Sequence, residues 1–145
     1  MGPTSKSRAT SDDPVANEQP PADEVATRCP DLERWPRSWM IDERDLSSDQ
    51  KMVEYFKPFL RHLLSLNLSS KTFRKHRDNL WLLGGKVISS LHDTPRLRKR
   101  PIDEVVLAAV DAHGGPLIAK GTSEEEQRSF DSTCRKLYRF LQPEP

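Results

Sequence analysis

The sequence predicts an all-α fold, a compact bundle of four to five helices behind a disordered, proline-rich N-terminal tail. Three observations carry that expectation. Apolar residues recur at helical spacing in separate stretches after residue 46. Helix-start signals precede those stretches, most plainly the Ser-x-x-Glu box of Ser123 to Glu126. No stretch reads as a strand, and no Asn-Gly type pair offers a tight hairpin turn.

Residues 1–45 form the expected tail, and residues 46–145 the helical domain. Pro3, Pro14, Pro20, Pro21, Pro30 and Pro36 interrupt any helix in the tail. Residues 1–31 carry three basic and six acidic side chains, a net of −3, so the remainder carries +4 of the overall +1. That mild basicity permits nucleic-acid binding without demanding it. Within the tail, residues 32–41 hold Trp35, Trp39, Met40 and Ile41. So many apolar groups either dock on the body as a strap or serve as a surface for a partner or for bases. The neighbouring run Asp42-Glu43-Arg44-Asp45 reads as a solvated linker. Cys29, in the tail, and Cys134, among apolar positions, are too few for a disulfide framework and read as free thiols of a reducing compartment. Without an apolar run of membrane length or an apolar leader in Met1 to Thr10, the expected location is the cytoplasm, with no membrane contact.

The elements follow in order. Leu46-Ser47-Ser48-Asp49-Gln50 is a helix-start cluster, and Met52, Val53, Tyr55, Phe56, Phe59, Leu60, Leu63 and Leu64 make a broad stripe over about 49–66. Pro58 lies inside and is expected to kink or split that helix. A central helix opens near Ser69 or Ser70, with Phe73, His76, Leu80 and Leu83 on one buried stripe. Val87, Ile88 and Leu91 continue the period past Gly84-Gly85, so one helix to about His92 is favoured, the glycines marking a close helix approach. Arg96-Leu97-Arg98-Lys99-Arg100 between Pro95 and Pro101 reads as an exposed basic loop. A third helix follows Pro101 with Val105, Val106, Ala109 and Val110 inward and Gly114-Gly115-Pro116 as its stop. The last helix runs from Ser123 to about Leu141 on Phe130, Thr133, Cys134, Leu137 and Tyr138.

These residues resemble the SAM-like N-terminal core-binding domain of tyrosine recombinases and phage integrases. Tyr55-Phe56-Lys57-Pro58-Phe59-Leu60 is similar to that family's opening helix, and Leu68-Ser69-Ser70-Lys71-Thr72 to its L-S-x-x-T helix start. Leu80 falls at the family's Leu, eight residues after Thr72, while His76 takes the slot usually held by an aromatic. The stretch from Ser129 to Leu141 is similar to the helix that precedes the family's catalytic domain. The resemblance covers about residues 48–142 and implies half of a clamp around duplex DNA. It implies Lys71, Thr72, Arg74, Lys75 and Arg77 as groove and backbone contacts, with Arg135, Lys136 and Arg139 as secondary ones. Arg96, Arg98, Lys99 and Arg100 are nominated on charge alone.

Catalysis is not expected. The recombinase reaction would need a second domain carrying a Tyr nucleophile and a His-x-x-Arg pair. None of His62, His76, His92 and His113 has Arg three residues on. Tyr55 and Tyr138 sit on apolar stripes. No metal, phosphate-loop or nucleophile-elbow motif occurs, so neither cofactor, metal nor small-molecule substrate is expected. Two readings remain: a non-catalytic DNA-binding module, with duplex DNA and a recombinase or other protein as partners, or a helical protein-interaction module working through Trp35 to Ile41.

Overall fold

The computed structural model describes residues 22–41 and 43–142. Nearly half of the expected tail, residues 1–21, lies outside the described residues. Six α-helices appear among the described residues: α1 (Ala22–Arg28), α2 (Trp35–Trp39), α3 (Leu46–Ser65), α4 (Ser70–Asp93), α5 (Ile102–Ala109) and α6 (Glu124–Leu141). Five of them are seven residues or longer. Short 3-10 turns occupy Leu32–Arg34, Glu43–Asp45 and Pro95–Lys99. No strand occurs among the described residues, only an isolated bridge between Asp111 and Gly114. The architecture is an all-α bundle.

The core is the meeting of the periodic stripes. Met52, Phe56, Phe59, Leu60 and Leu63 of α3 are fully buried with Leu80 and Ile88 of α4 and Phe130 of α6. Each such side chain contributes about 1.5–3 kcal/mol by leaving water. That burial keeps α3 whole. α3 runs unbroken across Pro58, so the helix is not split there. Pro58 itself is exposed, while Phe56, Phe59 and Leu60 around it are anchored in the core.

The body begins earlier than residue 46. Val25, Cys29, Leu32, Trp35 and Trp39 are all buried in the same core. Trp39 packs edge-on to Phe56, with ring centroids 6.4 Å apart, and its indole N–H donates to the Trp81 carbonyl at 2.9 Å. Residues 32–41 are therefore a docked strap. Of the linker expected at 42–45, Asp42 lies outside the described residues, and the turn Glu43–Asp45 is part of the body, since Asp45 is fully buried. The Asp45 carboxylate accepts from the Ile41 N–H at 3.0 Å and from Arg98 Nη2 at 2.6 Å. With that turn in place α3 starts at Leu46 and not near residue 49, and Asp49 becomes a buried residue inside the helix.

α4 crosses Gly84-Gly85 without a break. A Cβ at Gly84 would lie 2.6 Å from Trp39 Cε2, so the glycine makes room for the strap's indole. α5 ends at Ala109, five residues before the expected Gly114 stop. Asp111 explains the difference. Its Oδ1 accepts from the N–H groups of His113 (2.8 Å) and Gly114 (3.0 Å), a side-chain turn that competes with helix.

α6 carries its capping box. Ser123 Oγ accepts from the Glu126 N–H at 3.1 Å, and Glu126 Oε1 accepts from the Ser123 N–H at 3.2 Å. Ser123→Ala is expected to lower stability by about 1 kcal/mol, read as a lowered urea midpoint at unchanged slope.

Candidate nucleic-acid interface

α4 and α6 run antiparallel. His76 Nδ1 lies 2.7 Å from Thr133 Oγ1, while Asn79, one turn later on α4, donates to the Ser129 carbonyl at 3.1 Å, one turn earlier on α6. Asn79 also donates to Thr133 Oγ1 at 2.9 Å, so the pairing is a closed polar knot inside the bundle. This register brings the start of α4 to the end of α6. The end of α3 joins them: the Phe140 ring lies 5.5 Å from Phe59 and stacks on His62 at 5.0 Å. Three helix ends therefore meet.

That end is basic by composition. No Asp or Glu occurs between Glu54 and Asp78, a stretch holding Lys57, Arg61, Lys71, Arg74, Lys75 and Arg77. None occurs between Asp131 and Glu144 either, where Arg135, Lys136 and Arg139 lie. Lys71, Arg74, Lys75 and Arg139 are exposed, and Lys136 is half-buried. The His76 ring reports the field. Burial first, and then the charges of Lys75 and Lys136, push its pKa down to about 4. It is a neutral core group at pH 7.

The helix start adds to the field. Ser69 is the N-cap, its Oγ accepting from the Thr72 N–H at 3.1 Å and lying 3.0 Å from the Thr72 hydroxyl. Ser70 is thus the first helical residue. The positive end of a 24-residue helix sits beside Lys71, Arg74 and Lys75. Cations and a helix start, supplied by two stretches that hold no acidic residue, form a site suited to phosphate oxygens.

The other nominated residues separate. Arg77 is turned to its own neighbour, with Nη2 3.1 Å from Asp78 Oδ1. Arg135 donates to the His113 carbonyl at 3.2 Å and holds the 110–115 loop against α6. Arg98 is a structural residue, 16% exposed and bound to the buried Asp45. The expected exposed loop is a 3-10 turn in which Arg96, Lys99 and Arg100 are the exposed cations. That turn follows the far end of α4, about 30 Å along the axis from Lys71 at 1.5 Å per residue. Of the twelve nominated residues, Lys71, Thr72, Arg74, Lys75, Lys136 and Arg139 share one end, Arg96, Lys99 and Arg100 lie far from it, and Arg77, Arg98 and Arg135 are engaged within the protein.

His62 and Phe140 complete the basic end and were not singled out from the sequence. The missing signal was legible as the absence of acidic residues over 55–77, which no count of local cations reveals. The rival surface, Trp35 to Ile41, has both of its tryptophans in the core. Among the described residues no group of three His, Cys, Asp or Glu side chains could hold a metal ion. No helix among them is long and apolar enough to cross a membrane. No protein family, curated protein or solved structure matches the chain.

Proposed function

We propose that the chain is a non-catalytic DNA-binding module of the core-binding type, acting on cytoplasmic duplex DNA. It grips the phosphate backbone with the joined ends of α3, α4 and α6. The observation that carries this reading is the convergence of Lys71, Arg74, Lys75, Lys136 and Arg139 on one end without an acidic residue in either contributing stretch. Exposed lysines and arginines at a helix start meet phosphate oxygens without distinguishing sequence, so register and orientation come from this surface. The alternative, a protein-interaction module working through Trp35 to Ile41, is weakened because Trp35 and Trp39 hold the strap to the core.

The test is fluorescence anisotropy of a labelled duplex titrated with the full chain at several salt concentrations. Binding is expected, with log K falling against log salt by about 0.9 per phosphate neutralised. Lys71→Glu with Lys75→Glu is expected to weaken binding at least about tenfold and to flatten the salt slope. Arg96→Glu with Arg100→Glu changes the net charge equally but at the far end, and a much smaller loss is expected. No binding at about 50 mM salt, or equal losses from the two double variants, overturns the proposal.

A further inference from the structure

On the strap side of α4 lies a groove of about 420 Å³ lined by Asp31, Trp35, Asp78, Trp81 and Leu82. Trp81 is unusual among the tryptophans in being 38% exposed. Its indole N–H is already used, donating to Ser38 Oγ at 2.8 Å. The Trp35 N–H is likewise used, donating to Asp31 Oδ2 at 3.1 Å. With both N–H groups spent inside the protein, the indoles offer the groove ring carbon and π density, which attracts cations.

The carboxylates reinforce that preference. Arg77 contacts Asp78 only through Oδ1, at 3.2 and 3.1 Å, and Oδ2 has no hydrogen bond among the described residues. Asp78 is well exposed, its side chain 65% accessible. Asp31 brings a second negative charge, so the two carboxylates of the lining outnumber the one cation at its edge, the Arg77 held by Asp78 Oδ1. Leu82 supplies apolar surface for an aliphatic stem.

We propose that this groove is a docking site for an arginine side chain presented by a partner protein. A planar guanidinium stacks on the Trp81 ring, donates to Asp78 Oδ2, and lays its methylenes on Leu82. Lysine fits less well, because a compact ammonium cannot stack on the ring and reach the carboxylate with a flat fork. The groove begins at Asp78, about one turn along α4 from Lys75, and does not rest on the DNA-binding reading. Opposite charge gives the two surfaces different partners: polyanion at one, cationic side chain at the other.

The probe is a capped Gly-Arg-Gly tripeptide titrated into the ¹⁵N-labelled full chain, following the tryptophan indole N–H signals. A capped Gly-citrulline-Gly peptide has nearly the same shape without the charge. Saturable movement of the Trp81 signal is expected with arginine and not with citrulline, and with lysine only several-fold more weakly. Asp78→Asn is expected to weaken the arginine peptide about fivefold or more while leaving the other indole signals in place. Trp81→Leu, which keeps an apolar side chain on the same helix, is expected to abolish the saturable shifts that remain on Trp35. An unmoved Trp81 signal, equal binding of citrulline or of lysine, or unchanged affinity in Asp78→Asn overturns the proposal.

Discussion

Gly84→Ala is expected to lower stability by about 3 kcal/mol, a fall in Tm of about 10 °C for a chain of this size. In a solvent-exposed helix the same change would stabilise by up to about 1 kcal/mol, because glycine is a poor helix former. Here the new methyl would lie 2.6 and 2.8 Å from Cε2 and Cη2 of Trp39. The ring cannot step aside. It is packed on Phe56 and on Trp35, whose centroid is 5.7 Å away, and tethered by its N–H to the Trp81 carbonyl. Either the strap lifts off α4 or the helices part, and both expose apolar surface. The check is thermal unfolding followed by near-ultraviolet circular dichroism, which reports the tryptophan packing. A second variant makes the cause explicit. In a Trp39→Leu background the clash is gone, so adding Gly84→Ala is expected to be neutral or stabilising. Equal losses in the two backgrounds would show that the close approach is not what excludes a side chain at Gly84.

That glycine shows what a sequence discloses and what it hides. The period from Phe73 through Leu91 sets one continuous helix, and a pair of glycines inside it marks a close approach. Nothing in the period says which element approaches. The answer, Trp39, sits 45 residues earlier in a segment whose prolines suggest a tail. Local signals with local causes were readable: the Ser69 cap, the Ser123 box, the stripes of α3 and α6. Charges were not. Asp45 and Arg98 read as a linker acid and a loop cation, yet they are one buried pair joining residues 53 apart. Among four cations in five positions, only tertiary structure distinguishes the one that turns inward. The basic end was half legible for the same reason. Lys71, Arg74 and Lys75 announce themselves on one helix, but Lys136 and Arg139 join them only because α6 returns antiparallel.

Two of the buried titratable groups, Asp49 and His76, are expected to pull stability in opposite directions with pH. Asp49 is fully buried, and among the described residues neither carboxylate oxygen has a hydrogen-bond partner. Burial, and then the charge of Asp45 one turn earlier, push its pKa up to about 7. Between the ordinary value of 3.8 and about 7, the native state holds a proton that the unfolded chain has released. Stability from this group is therefore full below pH 3.8 and is lost as pH rises through 7, by an amount on the order of 4 kcal/mol. His76 has the opposite sign. Its pKa falls from 6.5 to about 4, so the unfolded chain holds the extra proton in that interval. Its contribution is full above pH 6.5 and is lost as pH falls through 4, by about 3 kcal/mol. Over the shared interval the two slopes offset each other in the parent protein. Single variants separate them. The stability of Asp49→Asn relative to the parent is expected to rise from pH 4 to 7, and that of His76→Phe to fall from pH 4 to 6.5. Urea unfolding at half-unit pH steps measures both difference curves. A flat curve for Asp49→Asn would mean that Asp49 is ionised in the folded protein at neutral pH, held by a cation. A flat curve for His76→Phe would mean that the knot with Thr133 accommodates the imidazolium. Opposite slopes would establish that the bundle keeps both groups uncharged near pH 6, where burial is least costly for the pair of them.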